Sequence, residues 1–71
     1  MDRNVIIGAR VQAIRKRQGK TLKQVVGALP DKISHQQLHH YEKGARWPAT
    51  LLHDVAQILG KDINELLKKQ D

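Results

Sequence analysis

The chain has 71 residues, room for one small domain, and with aromatics at 3% and no Phe its core must be largely aliphatic. The absence of cysteine excludes disulfides, thiolate zinc sites and thiol nucleophiles together and suits a reducing cytoplasm. A formal charge of +6 points to an acidic partner, nucleic acid being the commonest and a membrane surface the next.

Residues 5–18 predict a first helix. Ile7, Val11 and Ile14 form an apolar stripe with Ala13 alongside, and Arg10, Gln12, Lys16 and Arg17 fall elsewhere on the circumference. Gly8 weakens this helix slightly, and Gly19 stands where a left-handed stop belongs. Positive charge gathers in residues 10–23, where Arg15, Lys16, Arg17, Lys20 and Lys23 are interrupted by no acid. Such a run is either a solubilising face or a contact for a polyanion. Membrane binding would ask for Trp or Phe on a strongly apolar face of the basic helix, whereas the single Trp, Trp47, lies in a predicted loop.

A second helix starts at Thr21, whose spacing to Gln24 is that of a capping box. Its apolar set is Leu22, Val25, Val26 and Leu29, and Pro30 forbids continuation through Leu29. After the turn Pro30-Asp31-Lys32, residues 34–44 read SHQQLHHYEKG and predict a helix with both ends specified. Ser34 and Gln37 form a capping box, Ile33 and Leu38 a hydrophobic staple, and Gly44 the left-handed stop. Around this helix Leu38 and Tyr41 point one way, and Gln36, His40 and Lys43 nearly the opposite way, flanked by Gln37 and His39. The outward set is made of side chains that bond base edges or phosphate oxygens. Glu42, the one acid of this helix, falls nearer the Leu38 side.

Ala45-Arg46-Trp47-Pro48 reads as a loop, and a fourth helix begins near residues 48–50 with Leu51, Leu52, Val55, Ile58 and Leu59 as its apolar face and Gly60 as its stop. Asp62 and Glu65 predict a third capping box opening a short fifth helix with Ile63, Leu66 and Leu67, before a polar, frayed tail at 68–71. No segment alternates with period two, so no sheet is expected.

His35 and His39, four apart with His40 adjacent, have the spacing of helical metal ligands. The carboxylate that usually completes such a site is missing from the exposed face, so no metal is assigned and the histidines are read as facing DNA. Ser34 and Thr21 are accounted for as caps. No Ser/His/Asp order, phosphate-binding Gly loop or carboxylate pair is present, so neither an enzyme nor a cofactor is expected. Trp47 reads as a cover for the core between the third and fourth helices.

Five short helices, a basic run leading into the second and a polar third resemble the lambda-repressor/Cro-like (XRE-type) helix-turn-helix family along nearly the whole chain. The resemblance is carried by IGARVQAIRKRQGKT, ISHQQLHHYEKGARWP and LLHDVAQILGKDINELL, in that order. It implies an all-α, five-helix fold over residues 1–71, with the helix-turn-helix at 21–44 and the recognition helix at 34–43 in the major groove. The function implied is that of a sequence-specific transcriptional regulator, a repressor of the bacterial or phage type. The partner is double-stranded DNA, bound as a homodimer on a pseudo-palindromic operator with half-sites about one turn (~34 Å) apart. His35, Gln36 and His40 match base-contacting positions, and Gln37 and His39 adjoin them. Thr21 on one side, with Lys43 and Arg46 on the other, match phosphate contacts, Lys23 is expected to join Thr21 in clamping phosphate, and Arg15 and Glu42 match an internal ion pair. Two features depart from the family: Leu22 stands where Gln is frequent, and the turn before Ser34 is longer, with Leu29-Pro30-Asp31-Lys32 where a Gly is common. With no signal peptide opening the chain, the expected location is the cytoplasm, on the nucleoid through DNA binding. A protein-interaction module, such as an antitoxin that also binds its own operator, is the alternative.

Overall fold

The computed structural model describes residues 2–68. They form five helices, α1 Arg3–Arg17, α2 Leu22–Ala28, α3 His35–Glu42, α4 Ala49–Ile58 and α5 Ile63–Leu67, and among the described residues there is no strand. No helix is long and apolar enough to cross a membrane. Of the tail expected at 68–71, only Lys68 falls among the described residues.

Helix ends follow local chemistry. α1 starts two residues before the expected Val5 because Asp2 caps it, its carboxylate accepting from the Asn4 amide at 2.8 Å. α2 carries the full capping box: Thr21 Oγ1 accepts from the Gln24 amide at 3.1 Å, and Gln24 Oε1 accepts from the Thr21 amide at 2.8 Å. Leu29, held extended (φ −73°, ψ 143°) by the proline after it, ends that helix. The other two boxes are incomplete. Ser34 Oγ accepts from the Gln37 amide at 3.0 Å, but the Gln37 side chain does not return to Ser34. Asp62 accepts from Asn64 rather than Glu65, the tighter turn that a short carboxylate favours.

Every helix contributes to one core: Ile7 and Val11 of α1, Val25 of α2, Leu38 of α3, Leu52, Val55 and Ala56 of α4, and Leu66 of α5, with Trp47 and Leu59 from the connections. Ala13, expected beside the stripe of α1, is exposed, since a methyl group gains too little from burial to set the rotation of a helix. α3 packs against α1 and α2, while α5 packs against α4 and α1.

The approach of α1 to α3 depends on Gly8, where the sequence suggests only a weakened helix. A Cβ at Gly8 would lie 2.6 Å from the carbonyl oxygens of both Tyr41 and Glu42. The C-terminal turn of α3 therefore lies directly on the α1 backbone. Gly44, at φ 116°, turns the chain out of α3 beside Val5.

Candidate nucleic-acid interface

The exposed face of α3 is set by what the helix buries. Leu38 is 0% and Glu42 4% exposed, Tyr41 is half-buried, and Gln36, Gln37, His39 and His40 are all exposed. His35, at the first position of the helix, is half-buried and so presents less of its ring than its neighbours. With the capping box of Ser34 incomplete, the Gln37 side-chain amide makes no bond among the described residues.

Glu42 faces inward because Arg15 meets it. Its carboxylate accepts from Arg15 Nε at 2.7 Å and from Nη2 at 3.0 Å, and Arg15 Nη1 donates to the Lys20 carbonyl at 2.8 Å. Both charges are thus satisfied in a two-pronged geometry away from water. The pair joins the end of α3 to α1 and to the α1–α2 turn. Its consequence for the surface is direct: the only carboxylate of α3 is withdrawn, and the exposed face carries amides and imidazoles without an acid.

Beside this face stand exposed cations. Lys43 and Arg46 follow the end of α3, and Thr21 and Lys23 open α2, all four exposed. The Thr21 amide is occupied by Gln24, leaving its hydroxyl proton as the donor it can offer. Leu22 is half-buried against the core and offers no polar contact.

Other polar side chains of α1 and the turn after it bond to backbone carbonyls of α4 and α5. Arg10 Nη1 donates to the Leu66 carbonyl at 3.0 Å and reaches those of Glu65 and Lys68, while Arg3 Nη2 donates to that of Leu67 at 3.1 Å. Lys20 Nζ donates to the Ile58 carbonyl at 2.9 Å, and Gln18 Nε2 to that of Leu59 at 2.7 Å. These side chains satisfy the carbonyls that the last turns of α4 and α5 leave without partners, where the helix dipole also favours a cation. Residues 10–23 are therefore not one basic surface. Arg10, Arg15 and Lys20 are structural, and Lys16, Arg17 and Lys23 remain exposed.

Trp47 is 7% exposed and stacks on Tyr41, with ring centroids 5.3 Å apart. Its backbone amide donates to Asn4 Oδ1 at 3.1 Å, which ties the α3–α4 loop to the start of α1. It thus covers the core beside α3, as expected from the sequence, and its indole N–H has no partner among the described residues. Nothing in the sequence marks the roles of Asn4 and Gln18, and Gly8 reads there only as a weak point in a helix. Only Gly8 carried a signal, a glycine directly beside the apolar stripe of a helix.

Among the described residues no group of three or more His, Cys, Asp or Glu side chains could hold a metal ion. What α3 offers instead is a row of amides and imidazoles with cations at its end, chemistry suited to base edges and phosphates. No family model, curated protein or solved structure matches the chain.

Proposed function

We propose that this chain is a sequence-specific DNA-binding transcriptional regulator of the lambda-repressor/Cro-like helix-turn-helix kind, acting in the cytoplasm as a homodimer. In this reading α2, the turn after it and α3 form the helix-turn-helix, and α3 lies in the major groove. The observation that carries the proposal is the inward turn of Glu42 onto Arg15. It leaves α3 an exposed face of Gln36, Gln37, His39 and His40 with no carboxylate to repel phosphate.

Gln36 is the principal reader. It lies nearly opposite buried Leu38 and at the second position of the helix, the end that enters the groove in this motif. A Gln amide gives one hydrogen bond and takes one, which matches the N6/N7 edge of adenine and no other base. Gln37, His39 and His40 adjoin it, and His35 plays a lesser part. Lys43 and Arg46 on one side, with Thr21 and Lys23 on the other, hold phosphates and set the register without reading sequence. Eight residues of helix read only a few base pairs. Two copies are therefore needed, and each, at 33 × 21 × 20 Å, is of a size to place equivalent helices one turn (~34 Å) apart.

The test is selection from a random duplex pool. Enrichment of a short element repeated in inverted orientation is the expected outcome. A pool that stays random at moderate salt overturns the proposal.

A further inference from the structure

The lengthened turn before α3 lines a cleft of about 170 Å³, with Leu29, Asp31 and Ile33 from the turn, Tyr41 from α3, and Leu51 and Asp54 from α4. The apolar members are partly buried hydrophobics at the edge of the core. The two carboxylates are unpaired: among the described residues the one salt bridge is Arg15–Glu42. At about 170 Å³ the cleft is below the ~300–1,000 Å³ of small-molecule sites and suits one long side chain. Apolar walls with acids on them select an aliphatic stem ending in a cation, the amphipathic build of lysine and arginine.

Lys32 stands next to Asp31 in the turn and is exposed. The same patch thus holds an acid-lined cleft and, beside it, the cation that would fill one. That is the condition for a two-fold contact, in which a residue of one copy meets a different residue of the other and the reverse holds as well. Elsewhere, Val5 is the one exposed large hydrophobic among the described residues.

We propose that the occupant of this cleft is a second copy of the chain. Lys32 of each protomer enters the cleft of its partner toward Asp54 and Asp31, and the rims formed by Leu29, Ile33 and Leu51 close around its stem. Tyr41 lies on the side of α3 away from Gln36 and Lys43, so the contact leaves the proposed reading face open. The inference rests on the DNA-binding reading only for the use of the dimer; the contact itself rests on the cleft and its charges.

The experiment measures self-association by sedimentation velocity without DNA, so its result is independent of whether the chain binds DNA. Wild type is expected to show a reversible monomer–dimer equilibrium. K32D and D54K alone should each self-associate at least about tenfold more weakly, because each sets like charges against each other in both halves of the contact. An equimolar mixture of the two should dimerise again. In the mixed dimer the carboxylate introduced by K32D meets the ammonium introduced by D54K, while the native pair forms in the second half. Loss followed by recovery on mixing cannot come from misfolding. Should D54K lose helix content by circular dichroism, T50K places a cation at an exposed position of the same cleft and takes its role. A monomeric wild type, variants that dimerise as wild type does, or a mixture that stays monomeric each overturn the proposal. A different occupant of the cleft, a basic protein segment or a small amine, would give the first of these.

Discussion

Breaking the Arg15–Glu42 pair from each side separately should cost different amounts. An exposed ion pair is worth ~0–1 kcal/mol, whereas removing one partner of a buried pair strands the other charge and costs about 3–5 kcal/mol. Here the side chains are 8% and 0% exposed, which places the pair in the second class. Glu42→Ala leaves Arg15 with the Lys20 carbonyl and a flexible stem near the surface, so its loss should lie near the lower figure, about 3 kcal/mol. Arg15→Ala leaves a fully enclosed carboxylate with no cation and should approach about 5 kcal/mol. For a chain of 71 residues, ~0.05–0.15 kcal/mol per residue gives a total stability of only about 4–11 kcal/mol. Glu42→Ala should thus stay folded in the cold and melt about 12–24 °C lower, at ~4–8 °C per kcal/mol, while Arg15→Ala is marginal or unfolded. The double variant Arg15→Met with Glu42→Leu should recover most of the loss, because no charge is then stranded. Urea and thermal unfolding followed by circular dichroism decide it. Glu42→Ala within about 0.5 kcal/mol of wild type, or a larger loss for Glu42→Ala than for Arg15→Ala, would refute the reasoning.

Gly8→Ala should destabilise by about 1–3 kcal/mol despite the better helix propensity of alanine, since the new methyl meets two backbone carbonyls that cannot swing aside; a raised melting temperature would contradict this. Lys20→Met should lower stability by about 1–2 kcal/mol and leave the salt dependence of DNA binding unchanged, whereas Lys16→Met should leave stability alone. Gln36→Ala should cost about 1–3 kcal/mol on the selected operator and little on scrambled duplex, and Lys43→Ala or Arg46→Ala should weaken both alike; equal loss on both duplexes for Gln36→Ala would mean that α3 is turned differently in the groove. For a dimer touching roughly 8 phosphates, log K against log salt should fall with a slope near −7, and a flat titration would remove the electrostatic part of the proposal.

Helix positions were legible where the chain announces its ends in a few adjacent residues. Thr21 with Gln24, Leu29 before Pro30, and the glycines at 19, 44 and 60 act locally, and all three glycines have positive φ. The start of α1 was misplaced because the apolar stripe begins at Ile7, whereas the helix begins at its cap, Asp2. The acid-free face of α3 could be read from helical periodicity, since it depends only on which residues lie on one side. The Arg15–Glu42 pair was implied by family resemblance and not by spacing, because its members are 27 positions apart. The capping of α4 by Lys20 and of α5 by Arg3 and Arg10 spans separations of 38 to 64 positions, and no local pattern encodes it.

A count of charges therefore misplaces them, and their disposition carries more meaning than the total of +6. Arg3, Arg10 and Lys20 neutralise helix C-termini, and Arg15 neutralises a carboxylate. Asp2 and Asp62 cap helix N-termini, and Glu42 is enclosed. After these pairings, Lys16 and Arg17 on α1, Lys23 on α2, and Lys43 and Arg46 after α3 stay exposed, while Asp31 and Asp54 line the cleft with exposed Lys32 beside it. Gln36 and Lys43 are on one side of α3, and Tyr41 is on the cleft side with Leu38 beneath. On the two proposals together, α3 is held from behind by a second copy while its front meets DNA. Dimerisation and operator binding should then strengthen each other, so K32D should bind the selected operator more weakly than wild type in the same titration.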